Sequence, residues 1–138
     1  MSEYVLYTDG GCHGNPGPGG WAFVLEYNRK RVERNGGEAQ TTNNRMELCA
    51  VIYGLEQVGA VADHETNDHS IEVYTDSQYV RNGITNWIHT WMRNGWKTSG
   101  KKPVKNRDLW MELHELTLRH QIQWKWLKGH AGNPGNER

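Results

Sequence analysis

Two stretches of the chain share a pattern that marks the end of a β-strand. The β-prone run at residues 4–7 leads into Thr8 and Asp9 and then into a glycine-rich stretch, and the β-prone run at residues 71–75 leads into Asp76. Runs of β-branched and aromatic residues that meet glycine or other turn formers are typical of strands. The sequence therefore predicts two strands that each finish on an aspartate.

A third carboxylate, Glu47, lies in a predicted helix between these strands. Residues 41–44 read Thr-Thr-Asn-Asn, which is typical of a helix start, and residues 45–58 are rich in helix formers. The 3.6-residue period predicts an apolar stripe that packs on a sheet, formed by Leu48, Val51, Ile52 and Leu55. Glu47 lies beside this stripe, so we expect its side chain to point along the sheet surface.

Each carboxylate has an ordinary explanation when it is taken singly. A strand-terminal aspartate is often a turn former, and a glutamate in the first turn of a helix commonly complements the helix dipole. A carboxylate that is buried alone costs several kcal/mol, however, and a metal ion would offset that cost. Because Asp9, Glu47 and Asp76 occur together, the pattern favours a site for magnesium or manganese, which prefer oxygen ligands.

The order of elements predicts an α/β (α+β mixed) fold in a single domain at residues 1–138. Predicted strands at 4–9, 21–27 and 31–39 would form an antiparallel meander. They are followed by a helix at 43–58, a polar loop at 63–69, a strand at 71–76, short helices at 77–94, a helix at 107–120 and a strand at 122–127. Alternating helices and strands in the second half predict parallel additions to the meander.

Charge is unevenly distributed, although the formal net charge is zero. Residues 77–107 contain no Asp or Glu and carry several Lys and Arg residues, so one surface can be positive. Four tryptophans are interleaved with these cations: Trp87, Trp91, Trp96 and Trp110. A local core beneath the helix is the ordinary interpretation of most of them, and contacts to nucleic acid are the functional one.

Five motifs together resemble the type 1 ribonuclease H family, particularly its bacterial members with a basic protrusion. They are TDGxCxGNPGPGG around Asp9, TTNNRMEL around Glu47, TDSQYV around Asp76, the WIxxW…GWK…KKPVKN stretch, and KGHAGxPxNER near the end. The resemblance covers residues 4–138. It implies a ribonuclease H-like fold with a five-stranded mixed sheet flanked by helices.

The resemblance also implies an activity: an endonuclease that hydrolyses the RNA strand of RNA/DNA hybrids and leaves 5′-phosphate and 3′-hydroxyl ends. Asp9, Glu47 and Asp76 would bind two Mg²⁺ ions, one activating the attacking water and the other stabilising the leaving 3′ oxygen, with Mn²⁺ as a possible substitute. The family counterpart of His130 assists proton transfer or product departure. A lone loop histidine would otherwise be solvent-exposed and idle.

Substrate-binding residues follow from the same motifs. Amides beside the acids would read RNA 2′-hydroxyls, Thr42 and Asn106 match a pocket for a DNA phosphate, and the basic segment would grip the DNA strand. Gln40 stands where several relatives place an Arg. Helix capping is the alternative explanation of Asn43 and Asn44. The expected substrate-binding residues are Cys12, Asn15, Thr42, Asn43, Asn44, Gln78, Trp87, Trp91, Trp96, Lys97, Lys101, Lys102, Lys105 and Asn106.

One departure from the family concerns a fourth carboxylate, which normally lies two residues beyond an NER tripeptide on a final helix. Here that tripeptide ends at Arg138, so no residue matches the acid, and we expect an omitted or truncated tail and no C-terminal helix in this chain. The alternative function is a catalytically incomplete hybrid-binding fragment. A resolvase or integrase core of the same fold is a further alternative, whose signature would be cutting of all-DNA junctions.

The remaining expectations concern the setting of the protein. Residues 1–3 show no basic or apolar leader, and no stretch approaches transmembrane length, so we expect a cytoplasmic, monomeric protein with no membrane partner. Cys12 and Cys49 are too few for a disulfide framework. Cys49 is expected in the core and Cys12 at the substrate groove.

Overall fold

The computed structural model describes residues 3–61, 69–98 and 100–127. In order along the chain, the elements are β1 (Tyr4–Cys12), β2 (Gly17–Tyr27), β3 (Lys30–Thr41), α1 (Asn43–Val61), β4 (His69–Thr75), α2 (Gln78–Asn82), a π-helical turn (Gly83–Trp87), α3 (Ile88–Arg93), α4 (Arg107–Arg119) and β5 (His120–Trp126).

The strands form one mixed sheet in the order β3-β2-β1-β4-β5. β1 pairs with β2 and β2 with β3 in antiparallel fashion, whereas β4 pairs in parallel with both β1 and β5. The predicted meander with parallel additions is therefore confirmed, as is the mixed five-stranded α/β sheet. Parallel neighbours require crossover connections, and α1 supplies the one between the meander and β4.

The core lies between the sheet and the helices. Leu48, Val51, Ile52 and Leu55 of α1 are essentially inaccessible to solvent, as the predicted stripe requires, and Cys49 is buried beside them. α4 packs against α1 and contributes Trp110 and Leu113 to the same core, together with Leu6, Leu25, Ile71 and Val73 of the sheet. This packing holds the first turn of α1 at the sheet end where Asp9 and Asp76 lie.

The first three strands extend beyond their predicted bounds. The predicted strand end at Asp9 is wrong, because β1 continues to Cys12 with Gly11 opposite Gly20 and Cys12 opposite Gly19. A glycine-rich sequence predicts turns, but strand pairing uses backbone groups and needs no side chain, so two glycine-rich segments can pair with each other. The true loop between β1 and β2 is therefore only residues 13–16.

The helical predictions agree with the structure within a few residues. α1 runs three residues further than predicted, and the short helices predicted at 77–94 are α2, the π-helical turn and α3. Of the predicted loop at 63–69, only residue 69 lies among the described residues, where it begins β4. In the described part of the chain no helix is both long enough and apolar enough to cross a membrane.

Gly54 allows α1 to approach β1 closely. A Cβ atom at this position would lie 2.6 Å from a terminal carbon of Leu6, which is fully buried. Gly59 lies in the same helix, but among the described residues nothing outside its chain neighbours and the backbone of its own helical turns lies within 4 Å of where its Cβ would be. The two glycines therefore differ in their contacts and share their helical setting.

We predict opposite effects of alanine at these two positions. Gly54→Ala should lower the free energy of unfolding by about 1–3 kcal/mol, because the added methyl group overpacks the Leu6 contact. Gly59→Ala should raise it by roughly 0.5–1 kcal/mol, since alanine is the better helix former and meets no neighbour. Urea denaturation of both variants measures the difference. Equal shifts in the same direction would refute the close packing of α1 on Leu6.

Candidate active site

Asp9 and Asp76 are brought together by the parallel pairing of β1 and β4. The register ends at Tyr7 opposite Tyr74, and each aspartate lies two positions further along its own strand direction. Residues at matching positions on parallel neighbours lie side by side, roughly 4.8 Å apart across the sheet. The two carboxylates therefore leave the same edge of the sheet next to each other, with Asp9 still in β1 and Asp76 just past β4.

Glu47 is positioned by the contact of α1 with β1. A Cβ atom at Gly10 would lie 2.4 Å from the carbonyl carbon of Met46 and 2.7 Å from the backbone nitrogen of Glu47, so only glycine admits this approach. The first turn of α1 consequently rests directly on the residue that follows Asp9.

Ser77 fixes the Glu47 carboxylate. Its hydroxyl donates a hydrogen bond to Oε1 of Glu47 at 2.8 Å and accepts one from the backbone N–H of Val80 at 3.0 Å, which caps α2. The side chain is almost completely buried. A single hydroxyl therefore ties the start of α2 to the acid on α1.

The three acids line one open cavity of about 610 Å³. Its remaining walls are Gly10, Gly11, Cys12, Gly20, Trp21, Ala22, Asn35, Gly36 and Asn43. Of the residues described, none that lines this cavity is a lysine or an arginine. Negative charge at the acids is thus not neutralised by a cationic side chain in the cavity wall.

The electrostatic cost is visible at Glu47. Burial raises the pKa of its carboxyl group, and the neighbouring carboxylates of Asp76 and Asp9 raise it further, while the Ser77 hydrogen bond acts in the opposite direction. Desolvation and like charges both disfavour the ionised form. The folded protein therefore holds an anion at this position at a cost in stability.

A divalent cation fits this donor set in charge and in ligand type. Carboxylate oxygens are the ligands that magnesium and manganese prefer, and a cation would relieve the repulsion at Glu47. As the side chains stand, no three His, Cys, Asp or Glu groups within residues 3–61, 69–98 and 100–127 converge closely enough to hold one ion. The fit therefore rests on the shared cavity and its charge.

Capping of α1 is performed by Thr42 and Asn15. The Thr42 hydroxyl accepts a hydrogen bond from the backbone N–H of Arg45 at 3.3 Å, and the Oδ1 atom of Asn15 accepts one from the backbone N–H of Asn43 at 3.1 Å. In the described residues, neither the Asn43 nor the Asn44 side chain takes that role. Asn43 instead lines the cavity.

A second polar cluster joins α1 to the start of α4. Arg45 donates to Oδ1 of Asn106 at 3.2 Å and forms a two-pronged ion pair with Asp108, at 3.1 and 2.9 Å. Asn106 in turn donates from Nδ2 to the Tyr79 hydroxyl at 3.0 Å, and the Trp110 indole N–H donates to that same hydroxyl at 2.9 Å. The ion pair lowers the pKa of Asp108 and raises that of Arg45.

The basic segment forms a small folded loop beside α3. The backbones of Trp96 and Val104, and of Thr98 and Lys102, hydrogen-bond to each other, and Val104 is buried. The side chains of Lys97, Lys101, Lys102 and Lys105 are exposed. The segment thus presents its cations to solvent from an anchored backbone.

The tryptophans form a connected aromatic cluster. Trp110 is fully buried, Trp91 and Trp96 are half-buried against the core, and Trp87 is 36% exposed at its margin. The ring centroids of Trp87 and Trp91 are 5.7 Å apart, and those of Trp91 and Trp110 are 5.4 Å apart. The interpretation of the tryptophans as a local core is therefore correct for Trp110 and correct in part for Trp91 and Trp96.

The other predicted site residues are distributed as follows. Cys12 lies at the cavity with its thiol 3.3 Å from the carbonyl oxygens of Gly17 and Thr41. Gln78 begins α2 and is exposed. His130 lies outside the described residues.

Sequence reasoning missed Ser77, Arg45 and the cavity wall around Trp21 and Asn35. Ser77 stands inside the TDSQYV motif, and a serine just before a predicted helix is a recognisable cap, so that signal was present. No local pattern signals the Arg45 ion pair, because its partner Asp108 lies 63 residues away.

Comparison with known proteins identifies the family of this chain. The family model for RNase H matches residues 1–138. "Ribonuclease H" of Maricaulis maris is 57% identical over 138 residues, covering all of this chain and 89% of that protein.

Two solved structures have similar folds. LC9-RNase H1, described as a type 1 RNase H with the type 2 active-site motif, has a TM-score of 0.79 and 35% identity over 97% of this chain and 66% of that one. LC11-RNase H1, solved in complex with an RNA/DNA hybrid, has a TM-score of 0.68 and 23% identity over 93% of this chain and 87% of that one. At that identity the second likeness concerns the fold alone.

We predict that Glu47→Gln stabilises the metal-free protein. Glutamine can still accept the Ser77 hydrogen bond, while the charge that burial, Asp76 and Asp9 disfavour is removed. Because the pKa of Glu47 is raised in the folded state, the gain should be absent at acid pH, where the carboxyl group is protonated in both the folded and the unfolded chain, should grow as pH rises from the ordinary pKa of a glutamate to the raised one, and should be constant above it. Thermal denaturation in EDTA across pH measures it.

The matched control for this measurement is Glu115→Gln, an exposed position on α4. It removes the same charge but leaves the repulsion among the three carboxylates of the cavity unchanged. A Glu47→Gln variant no more stable than Glu115→Gln at neutral pH would mean that the acids do not repel one another as their shared cavity indicates.

Proposed function

This chain belongs to the ribonuclease H family, and we propose that it cuts the RNA strand of RNA/DNA hybrids at the cavity lined by Asp9, Glu47 and Asp76. The observation that carries the proposal is the arrangement of these three acids around one open cavity with no cationic side chain among its described lining residues. Such a cavity is built to receive cations together with a polyanion. The protein is a ribonuclease H enzyme.

Two Mg²⁺ ions bound by Asp9, Glu47 and Asp76 would lower the pKa of an attacking water and stabilise the leaving 3′ oxygen, with Mn²⁺ as a substitute. The protein's own contribution is positioning. Ser77 holds one oxygen of Glu47, so the carboxylate is oriented before any ligand arrives. The products of this hydrolysis would be 5′-phosphate and 3′-hydroxyl ends.

Amide groups beside the acids would select the RNA strand. Asn43 lines the cavity, and Asn15 uses its Oδ1 atom to cap α1, which leaves its side-chain N–H groups available as donors. Gln78, Asn44 and Cys12 complete the proposed set. Only RNA carries the 2′-hydroxyl, a group that can both donate and accept hydrogen bonds. Contacts to it near the cut would restrict cleavage to RNA.

Thr42 and Asn106 offer donors for a phosphate of the DNA strand. The Thr42 oxygen accepts from the Arg45 backbone, so its hydroxyl hydrogen is free to donate. Asn106 has one amide N–H committed to Tyr79 and a second that has no partner in residues 3–61, 69–98 and 100–127. Arg45 donates a hydrogen bond to the Asn106 oxygen, and this contact fixes the direction in which the amide nitrogen points. Gln40, which stands where several relatives place an Arg, is exposed, so this pocket would lack that cation.

The basic segment would contact the DNA backbone at a greater distance from the acids. Lys97, Lys101, Lys102 and Lys105 are exposed cations that can neutralise phosphates, and Trp87 is the most exposed tryptophan of the adjoining cluster. Trp91 and Trp96 would support the loop and contribute their exposed edges. His130 is proposed to assist proton transfer or product departure. A single-domain, monomeric and cytoplasmic enzyme with no membrane partner remains our prediction.

We expect Asp9→Asn to slow RNA-strand cleavage strongly. Loss of one ligand charge should slow cutting of a labelled RNA/DNA hybrid by roughly 100-fold or more in Mg²⁺, since metal charge stabilisation contributes several kcal/mol. Glu115→Gln is the matched control and should cut at the wild-type rate. RNA-only and DNA-only duplexes should be left intact by all three proteins.

Other outcomes of that experiment decide between the alternatives. Hybrid binding by the wild-type chain without cutting in Mg²⁺ or Mn²⁺ would identify a catalytically incomplete hybrid-binding protein. Cleavage of all-DNA junctions would identify a different nuclease activity on the same fold.

We also expect the basic segment to contribute to the salt dependence of hybrid binding. Changing Lys101 and Lys102 to Gln together should weaken binding and reduce the slope of log Kd against log salt by about one unit for each phosphate that is no longer neutralised. Fluorescence anisotropy between roughly 50 and 200 mM salt measures the slope. Lys125→Gln, exposed on β5, is the control, and an equal effect of that change would refute a local DNA contact at the loop.

A further inference from the structure

Three helices begin at the end of the sheet where the acids lie. Ser77, which follows Asp76 directly, ties the start of α2 to Glu47 of α1. The Arg45 ion pair with Asp108 ties the start of α4 to α1. Under the proposed function a hybrid lies across this end of the molecule, so side chains that reach it from the first turns of these helices can make further contacts to the substrate.

α2 presents different residues to its two sides. Tyr79 accepts hydrogen bonds from Asn106 and Trp110, so its side chain points toward the start of α4. Arg81 follows two residues later, about 200° around the helix, and therefore lies on the side away from Asn106. Gln78 begins α2 and is exposed. It precedes Arg81 by three residues, so these two side chains share one face of the helix.

Arg81 is held over an aromatic ring of β5. Its guanidinium carbon lies 5.9 Å from the centroid of the Trp126 ring, within the range of a cation–π interaction. Trp126 is opposite Thr75 in the parallel ladder, one residue before Asp76. Helical side chains also lean toward the N-terminus of their helix, which for α2 is the end at the acids. The cation is thus held on the β5 side of Asp76.

The charge of Arg81 is available to a ligand. Residues 77–107 contain no Asp or Glu, and Arg81 is exposed. Within residues 3–61, 69–98 and 100–127 its guanidinium forms neither an ion pair nor a hydrogen bond. A ring that covers one face of the planar guanidinium leaves the N–H groups at its edge free to donate. Such a group can form a two-pronged pair with a phosphate.

We propose that Arg81 binds a phosphate of the RNA strand on the β5 side of the cut, with Trp126 fixing the direction of its guanidinium. The site rests on the proposed function, because its occupant is the strand that passes the acids. Asn106, which is proposed to contact the DNA strand, lies on the other side of α2. The phosphate at Arg81 therefore belongs to the RNA strand.

Arg81→Gln tests the contact. We expect the Kd for a hybrid, from fluorescence anisotropy in EDTA, to rise by roughly three- to ten-fold, the effect of losing a charged partner at an exposed site. The slope of log Kd against log salt should fall by about one unit. KM should rise in parallel while kcat changes less. Arg119→Gln is the matched control, because Arg119 is an exposed arginine at the opposite end of β5, and its Kd should equal that of the wild type.

Variants of Trp126 test the role of the ring. Trp126→Phe keeps an aromatic face and should bind nearly as the wild type does, whereas Trp126→Leu should raise the Kd by less than Arg81→Gln. The combination of Trp126→Leu with Arg81→Gln should add little to Arg81→Gln alone, because the ring acts through the cation. Additive changes in the double variant would overturn this part of the proposal.

Neutral linkages locate the phosphate. Each hybrid carries one uncharged methylphosphonate linkage, placed in turn along the RNA strand or the DNA strand. At the phosphate that Arg81 contacts, the wild type should lose affinity and Arg81→Gln should lose none further. We expect this position in the RNA strand. Its occurrence in the DNA strand, or in neither strand, would overturn the proposal, as would a lowered melting temperature of Arg81→Gln with an unchanged Kd, which indicates a structural role alone.

The same measurements separate this proposal from the one it depends on. If the wild-type chain neither binds nor cuts the hybrid, both fail. If it binds and cuts, and Arg81→Gln matches Arg119→Gln in affinity and in salt slope, only the Arg81 site fails.

Discussion

The parallel pairing of β1 with β4 is the constraint on which the site depends. A parallel ladder that ends at Tyr7 and Tyr74 sets Asp9 and Asp76 at matching positions beyond it. A slip of one residue would turn one aspartate to the other face of the sheet, because side chains alternate along a strand. The buried residues Leu6, Ile71 and Val73 fix that register, so the apolar core determines where the acids emerge.

Glycine then brings the third acid to the pair. The backbone of α1 reaches β1 at Gly10 and again at Gly54, and side chains at either place would push the helix outward. This close approach moves Glu47 to the cavity, where it is partly desolvated next to two like charges. The stability of the fold is thereby reduced at the point where a cation would bind. The hydrogen bond from Ser77 holds the Glu47 carboxylate in a fixed orientation at that point. The cost and the ligand site have the same physical origin.

Much of this arrangement could be predicted from local sequence, and the remainder depends on distant contacts. Leu48, Val51, Ile52 and Leu55 form the buried stripe that their period predicts, and the elements follow in the predicted order. The extension of β1 past Asp9 could not be predicted, because Gly11 and Gly20 resemble turn residues until they are seen paired. The link of Arg45 with Asn106 and Asp108, and the cavity wall that Ala22 and Asn35 share, likewise exist only once separate segments meet.

The start of α1 connects the structure to strand selectivity. Within one turn and a half, Thr42 caps the helix, Asn43 lines the cavity and Glu47 faces the two aspartates. Under the proposed function these residues address a DNA phosphate, the RNA strand and the metal site respectively. Because they belong to one helix, at about 1.5 Å rise per residue, their separations cannot adjust independently. The Arg45 ion pair with Asp108 extends the same rigid unit to Asn106. A duplex would then be recognised by the distance between its two strands, and the 2′-hydroxyls would decide which strand lies at the acids.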